Sequence, residues 1–190
     1  MQQIILASQS PRRKQLLEWA EVPFTIMAGN TDESYPPGLN YEEIAIYIAR
    51  NKALAIQTKV AKGSIVLAAD TIVVLGEAVI GKPVHREEAI SMLLALAGEK
   101  HKVITGVLIL KDEMEIAFAD TTEVEFYHLT EAEIEFYVDK YKPYDKAGAY
   151  AIQEWIGVIG IKSVKGDFYN VMGLPVSRVV RELRKLTPNP

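Results

Sequence analysis

Cysteine is absent from the 190-residue chain, which excludes disulfides, thiolate metal sites and a cysteine nucleophile. Histidine is scarce. His85, His101 and His128 are scattered without the spacing of zinc ligands, and they read as surface or sheet residues. A surplus of positive charge is also missing. The formal net charge is −4, so no basic field surrounds the molecule and stable nucleic-acid binding is not expected. An anion would have to be held by a local cluster instead. Long apolar runs are lacking too: Ile65–Ala69 and Ile72–Leu75 fall far short of the ~20 residues that span a bilayer. No membrane association is expected. The opening MQQIILASQSPRR has no charged segment followed by a long apolar one, so it does not read as a signal peptide. A soluble cytoplasmic protein is the expectation.

The residues that are present, 49% hydrophobic and 24% charged, suit one globular domain over residues 1–190. Strand-like and helical patterns alternate. Strands are expected at Gln3–Ala7 and Pro23–Met27, with a helix between them at Pro11–Ala20 that turns Leu16, Leu17 and Ala20 inward. Residues 28–39 read as loop. Asn40 opens a long helix, with Glu43 three residues on as a capping-box partner. Ile65–Leu75 is a β-rich run, expected to break at Asp70-Thr71. Gly76-Glu77 turns a hairpin whose far end projects Lys82. A helix at Arg86–Ala97 precedes strands at His101–Leu110 and Glu115–Tyr127, which form a hairpin around Lys111-Asp112-Glu113. Thr130, boxed by Glu133, caps another helix. A strand is expected at Val158–Val164 and a last helix at Pro175–Leu186, before a TPNP tail that should fray. This alternation implies an α/β fold with a mixed sheet.

Four features resist a purely structural reading. Ser10-Pro11 marks a helix start, yet Arg12 and Arg13 then sit in the first turn, where free N–H groups already carry partial positive charge. They are either solvated or gathered around an anion. Lys52 interrupts the stripe Ile44, Ile48, Ile56. Its stem can cover core while the ammonium reaches an edge, or it can serve a site. Asp70 lies inside the most apolar strand-like run, AADTIVV, where an isolated carboxylate would cost several kcal/mol. A strand ending at Asp70 would place it at the ligand-binding edge of an open sheet, or in a plain Asp-Thr turn. GEAVIGKP matches the phosphate-loop spacing G-x-x-x-x-G-K, but Pro83 stands where a magnesium-binding hydroxyl is required. It is not a P-loop. Asp32-Glu33 adds acidic residues to the first loop, and oxygen ligands from Glu33 and Asp70 would suit Mg²⁺ or Mn²⁺.

Together LASQSPRRKQLL, TDES, NKA, AADTIVV, GKP, TGV, DKAGAYAIQ and NVMGLP resemble the Maf family of nucleoside triphosphate pyrophosphatases across nearly the whole chain. The DKAGAY stretch with Ile152-Gln153 is similar to the branch acting on dTTP and UTP. Two residues depart from the pattern: Lys142, where an acidic residue usually precedes the proline, and Ala151, where glycine usually precedes Ile152-Gln153. The resemblance implies a Maf/ITPase-like mixed twisted sheet with flanking helices, in two lobes around a central cleft. It implies hydrolysis of dTTP and UTP, with modified pyrimidine nucleotides as a further class, to the monophosphate and pyrophosphate. It assigns Ser8, Arg12, Arg13, Lys52 and Lys82 to the triphosphate. Asp70 is the implied catalytic base, and Glu33 and Asp70 the ligands of a divalent cation, Mg²⁺ or Mn²⁺. Arg12, Thr71 and Gln153 match positions linked to substrate choice. A homodimer is also implied. The alternatives are a septum-formation regulator acting through a partner, and a housecleaning pyrophosphatase for other non-standard nucleotides.

Overall fold

The computed structural model describes residues 4–29 and 31–186. Gln3 of the expected first strand, Asn30 of the expected loop and the tail 187–190 lie outside the described residues. The strands are β1 (Ile4–Leu6), β2 (Phe24–Ile26), β3 (Ile65–Leu75), β4 (Ala78–Ile80), β5 (Lys100–Lys111), β6 (Met114–Phe126) and β7 (Ile161–Lys165). The helices are α1 (Pro11–Trp19), α2 (Tyr41–Gln57), α3 (Arg86–Leu96), α4 (Glu131–Tyr141), α5 (Trp155–Gly160), α6 (Phe168–Met172) and α7 (Val176–Leu186). The sheet runs β2-β1-β3-β5-β6-β7, with β4 paired to β3. It is mixed: β1 pairs parallel with β2 and β3, while β3–β4 and β6–β7 are antiparallel. The α/β class expected from the alternation is the one observed.

The chain divides into two compact units. The first holds the described residues up to Thr71, with Thr105–Asp120 and the chain from Gly173 onward; the second holds Ile72–Ile104 and Thr121–Met172. In the first unit, one face of α2 and strands β1, β3 and β5 share a core of Ala7, Ala49, Ala53, Ile56, Val66, Ala68, Leu108 and Leu110. Small side chains let the layers come close. At Gly106 on β5 a Cβ would lie 2.3 Å from the Ala45 carbonyl carbon and the Ile46 nitrogen of α2. No side chain fits there, and the missing Cβ seats α2 on the strand. In the second unit, His101, Phe126 and Tyr150 form an aromatic cluster, with centroids 5.1–5.6 Å apart.

The helix starts follow their sequence signals. Asn40 and Thr130 both form complete capping boxes, with Glu43 and Glu133. His85 caps α3 by accepting the Glu88 N–H at Nδ1. Ser10 holds the N-cap position of α1 with Pro11 inside, but its side chain makes no cap bond. Its backbone N–H donates instead to Ser8 Oγ at 3.2 Å.

Two expectations are corrected. The run Ile65–Leu75 does not break at Asp70-Thr71, nor does a strand end there: β3 is continuous through both residues. Asp70 is compensated by a lysine, as described below, so its charge does not force the backbone out of the ladder. The strand expected at Val158–Val164 begins only at Ile161, because Trp155–Gly160 forms α5. Val158 is 80% exposed, so this apolar run is not a buried strand. Apolar content alone does not separate a short helix from a strand.

Candidate active site

In the first unit, β1 leads through Ser8–Ser10 into α1, whose first turn carries Arg12 and Arg13. Arg13 is buried, 8% exposed, although it lies in the first turn of a surface helix. Its guanidinium is held by three neutral oxygens. Nε donates to the Gly173 carbonyl at 2.8 Å, one terminal nitrogen to Ser8 Oγ at 3.2 Å, and the other to Thr71 Oγ1 at 3.0 Å. Thr71 Oγ1 is in turn 2.8 Å from Thr105 Oγ1. One planar fork thus ties the end of β1, the middle of β3 and the start of α7's loop. Burial pulls the Arg13 pKa down from its usual value, and the neighbouring Arg12 adds to this, while Asp70 and Glu33 oppose it. A guanidinium remains protonated through such shifts. The result is a buried positive charge surrounded by uncharged acceptors. Ser8 Oγ already accepts twice, from Ser10 and Arg13, so its own proton is left to donate.

Lys52 answers the question raised by its place in the apolar stripe. Its ammonium lies 2.5 Å from Asp70 Oδ1 and 2.8 Å from Glu33 Oε1. The Lys52 and Asp70 side chains are 16% and 10% exposed. The neighbouring Asp32 turns away from this arrangement: both its oxygens accept from Ser34, backbone N–H and hydroxyl, which holds its carboxyl below the usual range. Glu33 is thereby the loop's contribution to the cation. The first unit therefore holds two sets of contacts, Arg13 with Ser8 and Thr71, and Lys52 with Glu33 and Asp70; the charges of Asp70, Arg12 and Glu33 all act on Arg13.

Lys82 and Gln153 belong to the second unit. Lys82 follows the β3–β4 hairpin, as its sequence predicted, and is exposed. The GKP turn is tied to the DKAGAY stretch by a hydrogen bond from the Gly148 N–H to the Gly81 carbonyl, 3.0 Å. In that stretch Gly148 and Ala149 both adopt left-handed backbone, φ 69° and 59°. Lys146, 7% exposed, reaches Asp145 at 2.8 Å and Glu154 at 3.6 Å. The Gln153 side-chain carbonyl is buried and has no hydrogen-bond partner.

Several contributors escaped the reading of residue types. Thr105 and Gly173 act through a hydroxyl and a backbone carbonyl, and a carbonyl leaves no trace in residue identity. Their only signal was membership of the TGV and NVMGLP stretches. Tyr137 and Glu154 carry no sequence signal of their own, since their bond joins residues 17 positions apart.

The structure thus defines an α/β protein with a mixed sheet that sets a lysine between a strand carboxylate and a loop carboxylate, beside a buried arginine. The chain belongs to the Maf-like protein family, whose sequence profile matches residues 3–186. It is 50% identical over 185 residues to the dTTP/UTP pyrophosphatase of Bacteroides thetaiotaomicron, covering 97% of this chain and 96% of that one. It is 52% identical over 183 residues to the dTTP/UTP pyrophosphatase of Cytophaga hutchinsonii, covering 96% and 84%. Among solved structures, the Staphylococcus aureus Ham1 protein aligns with a TM-score of 0.49 at 19% identity, over 95% of this chain and 100% of that one.

Proposed function

We propose that the protein is a nucleoside triphosphate pyrophosphatase that hydrolyses dTTP and UTP to the monophosphate and pyrophosphate. The observation that carries the reading is the Lys52–Asp70 contact at 2.5 Å on the same unit as the buried Arg13. Such a site binds a polyanion and moves a proton. In the reaction a water oxygen bonds to the α-phosphorus, and the bond to the α–β bridging oxygen breaks. Pyrophosphate leaves with that electron pair. Asp70 takes the water's proton. Ser8, Arg12, Arg13, Lys52 and Lys82 are assigned to the phosphates, where fixed cations stabilise the charge that gathers on the leaving group. Arg12, Thr71 and Gln153 are assigned to substrate choice. A Gln153 acceptor suits the N3–H of uracil or thymine, whereas cytosine presents an acceptor at N3.

The same reading assigns a divalent ion, Mg²⁺ or Mn²⁺, to Glu33 and Asp70. The donors suit a hard cation: both are carboxylates, and both already face one point, which the Lys52 ammonium fills. Among the described residues no group of three or more His, Asp or Glu gathers to hold a metal alone, so water and phosphate oxygens would complete the shell. When bound, the ion neutralises phosphate charge and acidifies water. A cytoplasmic homodimer without nucleic-acid partners completes the proposal, supported by the family resemblance and the net charge of −4. No helix among the described residues is long and apolar enough to cross a membrane.

The test is a rate panel of dTTP, UTP and CTP with the purified protein and Mg²⁺ or Mn²⁺, following pyrophosphate. Release from dTTP and UTP well above CTP is expected. Equal rates on all three, or no release, would reject the reading.

A further inference from the structure

The buried Gln153 carbonyl sits in a turn that is held from three directions. Tyr137, on α4 and fully buried, donates its hydroxyl proton to Glu154 Oε2 at 2.5 Å and accepts the Ala151 N–H at 3.2 Å. The Glu154 backbone N–H closes the turn onto the Ala151 carbonyl at 3.0 Å. On the far side, Gly157 meets the Ile152 carbonyl so closely that a Cβ would lie 1.8 Å from its oxygen. Glu154 also stands at the N-cap of α5, yet its side chain makes no cap bond there. The carboxylate turns inward to Tyr137 and Lys146 instead. A helix start that forgoes its cap has another use for the side chain.

Gln153 lies at the centre of these restraints, and its own oxygen is the group left without a partner. A buried acceptor in that state is costly unless a ligand donor meets it. We propose that Tyr137 and Glu154 are positioning residues that lock the Ala151–Glu154 turn, so that the Gln153 carbonyl is presented to the N3–H of a uracil or thymine base. The inference rests on the base-reading role given to Gln153 above. A rigid acceptor also explains rejection: against cytosine N3, two acceptors oppose each other, and a turn that cannot relax cannot relieve them.

The experiment compares wild type, Tyr137→Phe, Glu154→Gln, Glu154→Ala and Gln153→Ala. It measures kcat/KM on UTP and CTP, and calorimetric binding of the α,β-imido analogues of both nucleotides. Tyr137→Phe and Glu154→Ala should each narrow the UTP-to-CTP ratio by about tenfold, through a higher KM for UTP and a lower KM for CTP, since a loosened turn no longer holds its acceptor against cytosine N3. Glu154→Gln keeps an acceptor for the Tyr137 hydroxyl and should restore most of the ratio. A uniform loss on both nucleotides would reduce the pair to scaffolding and overturn the proposal. So would a wild-type ratio in Tyr137→Phe and Glu154→Ala when Gln153→Ala collapses it. A wild-type ratio in Gln153→Ala would remove the base-reading role itself, and the proposal with it. Tyr137 and Glu154 share one hydrogen bond, so each variant removes the same contact from a different end, and misfolding of one leaves the other to decide.

Discussion

Lys52 Nζ stands 2.5 Å from Asp70 Oδ1, and the same ammonium reaches Glu33 at 2.8 Å. One cation from a helix therefore serves two carboxylates, one from a strand and one from a loop. Without it, the buried Asp70 and the half-exposed Glu33 face one point with no cation between them. Lys52→Met should lower the melting temperature of the metal-free protein, because removing one partner strands a buried charge. Added Mn²⁺ should then raise the melting temperature more in Lys52→Met than in wild type, since the ion meets no competing ammonium. Equal shifts, read by calorimetry without nucleotide, would deny that the carboxylates share one cation position.

Asp70→Asn keeps an oxygen for Lys52 and removes the proton acceptor. Pyrophosphate release from dTTP should fall by roughly 10²-fold or more. The melting temperature should stay close to wild type. Activity within a few-fold of wild type would remove Asp70 from the chemistry.

Arg13→Lys conserves charge but not geometry. A lysine cannot span Gly173, Ser8 and Thr71 at once, so at least one of these contacts is lost at a buried site. A stability loss of about 2–4 kcal/mol is expected, measured by urea unfolding, with activity reduced as well. Full activity in a stable variant would show that charge suffices.

Gly106→Ala tests how α2, and Lys52 with it, is seated. The new Cβ would meet backbone rather than a movable side chain, so the helix must shift. A loss of about 3 kcal/mol is expected, together with lower turnover. A change under about 0.5 kcal/mol would mean that the strand yields instead.

His101 makes stability pH-dependent. Burial holds its pKa down at about 4, against an ordinary 6.5, so the unfolded chain binds the extra proton first. The contribution is complete above pH 6.5 and is lost as pH falls from 6.5 to 4, for about 3 kcal/mol in all. His101→Phe, which preserves the stack on Phe126, should flatten unfolding free energy over that window. An unchanged slope would place the titration elsewhere.

The boundaries of α2 and α4 were legible because their signals are local. Asn40 with Glu43 and Thr130 with Glu133 satisfy their own N–H groups within four residues. The β3–β4 turn at Gly76 was legible for the same reason: its backbone is left-handed, φ 59°. The helix α5 was not, because an apolar hexamer with two glycines carries no period long enough to choose. The expected break at Asp70 failed for a different reason. It treated the carboxylate as isolated, while its compensating charge lay 18 residues upstream.

By itself the sequence determined the class of fold, the turns and caps, and which charged side chains could not be explained by solvent alone. Those follow from local hydrogen bonding and from periodicity, which need no distant partner. Only the tertiary structure decided what each misplaced charge meets: Lys52 between two carboxylates, Arg13 on three neutral oxygens, the Gln153 carbonyl on none. A charge or a buried acceptor is made tolerable by groups far away in the chain, and their convergence is a property of packing that no short stretch contains.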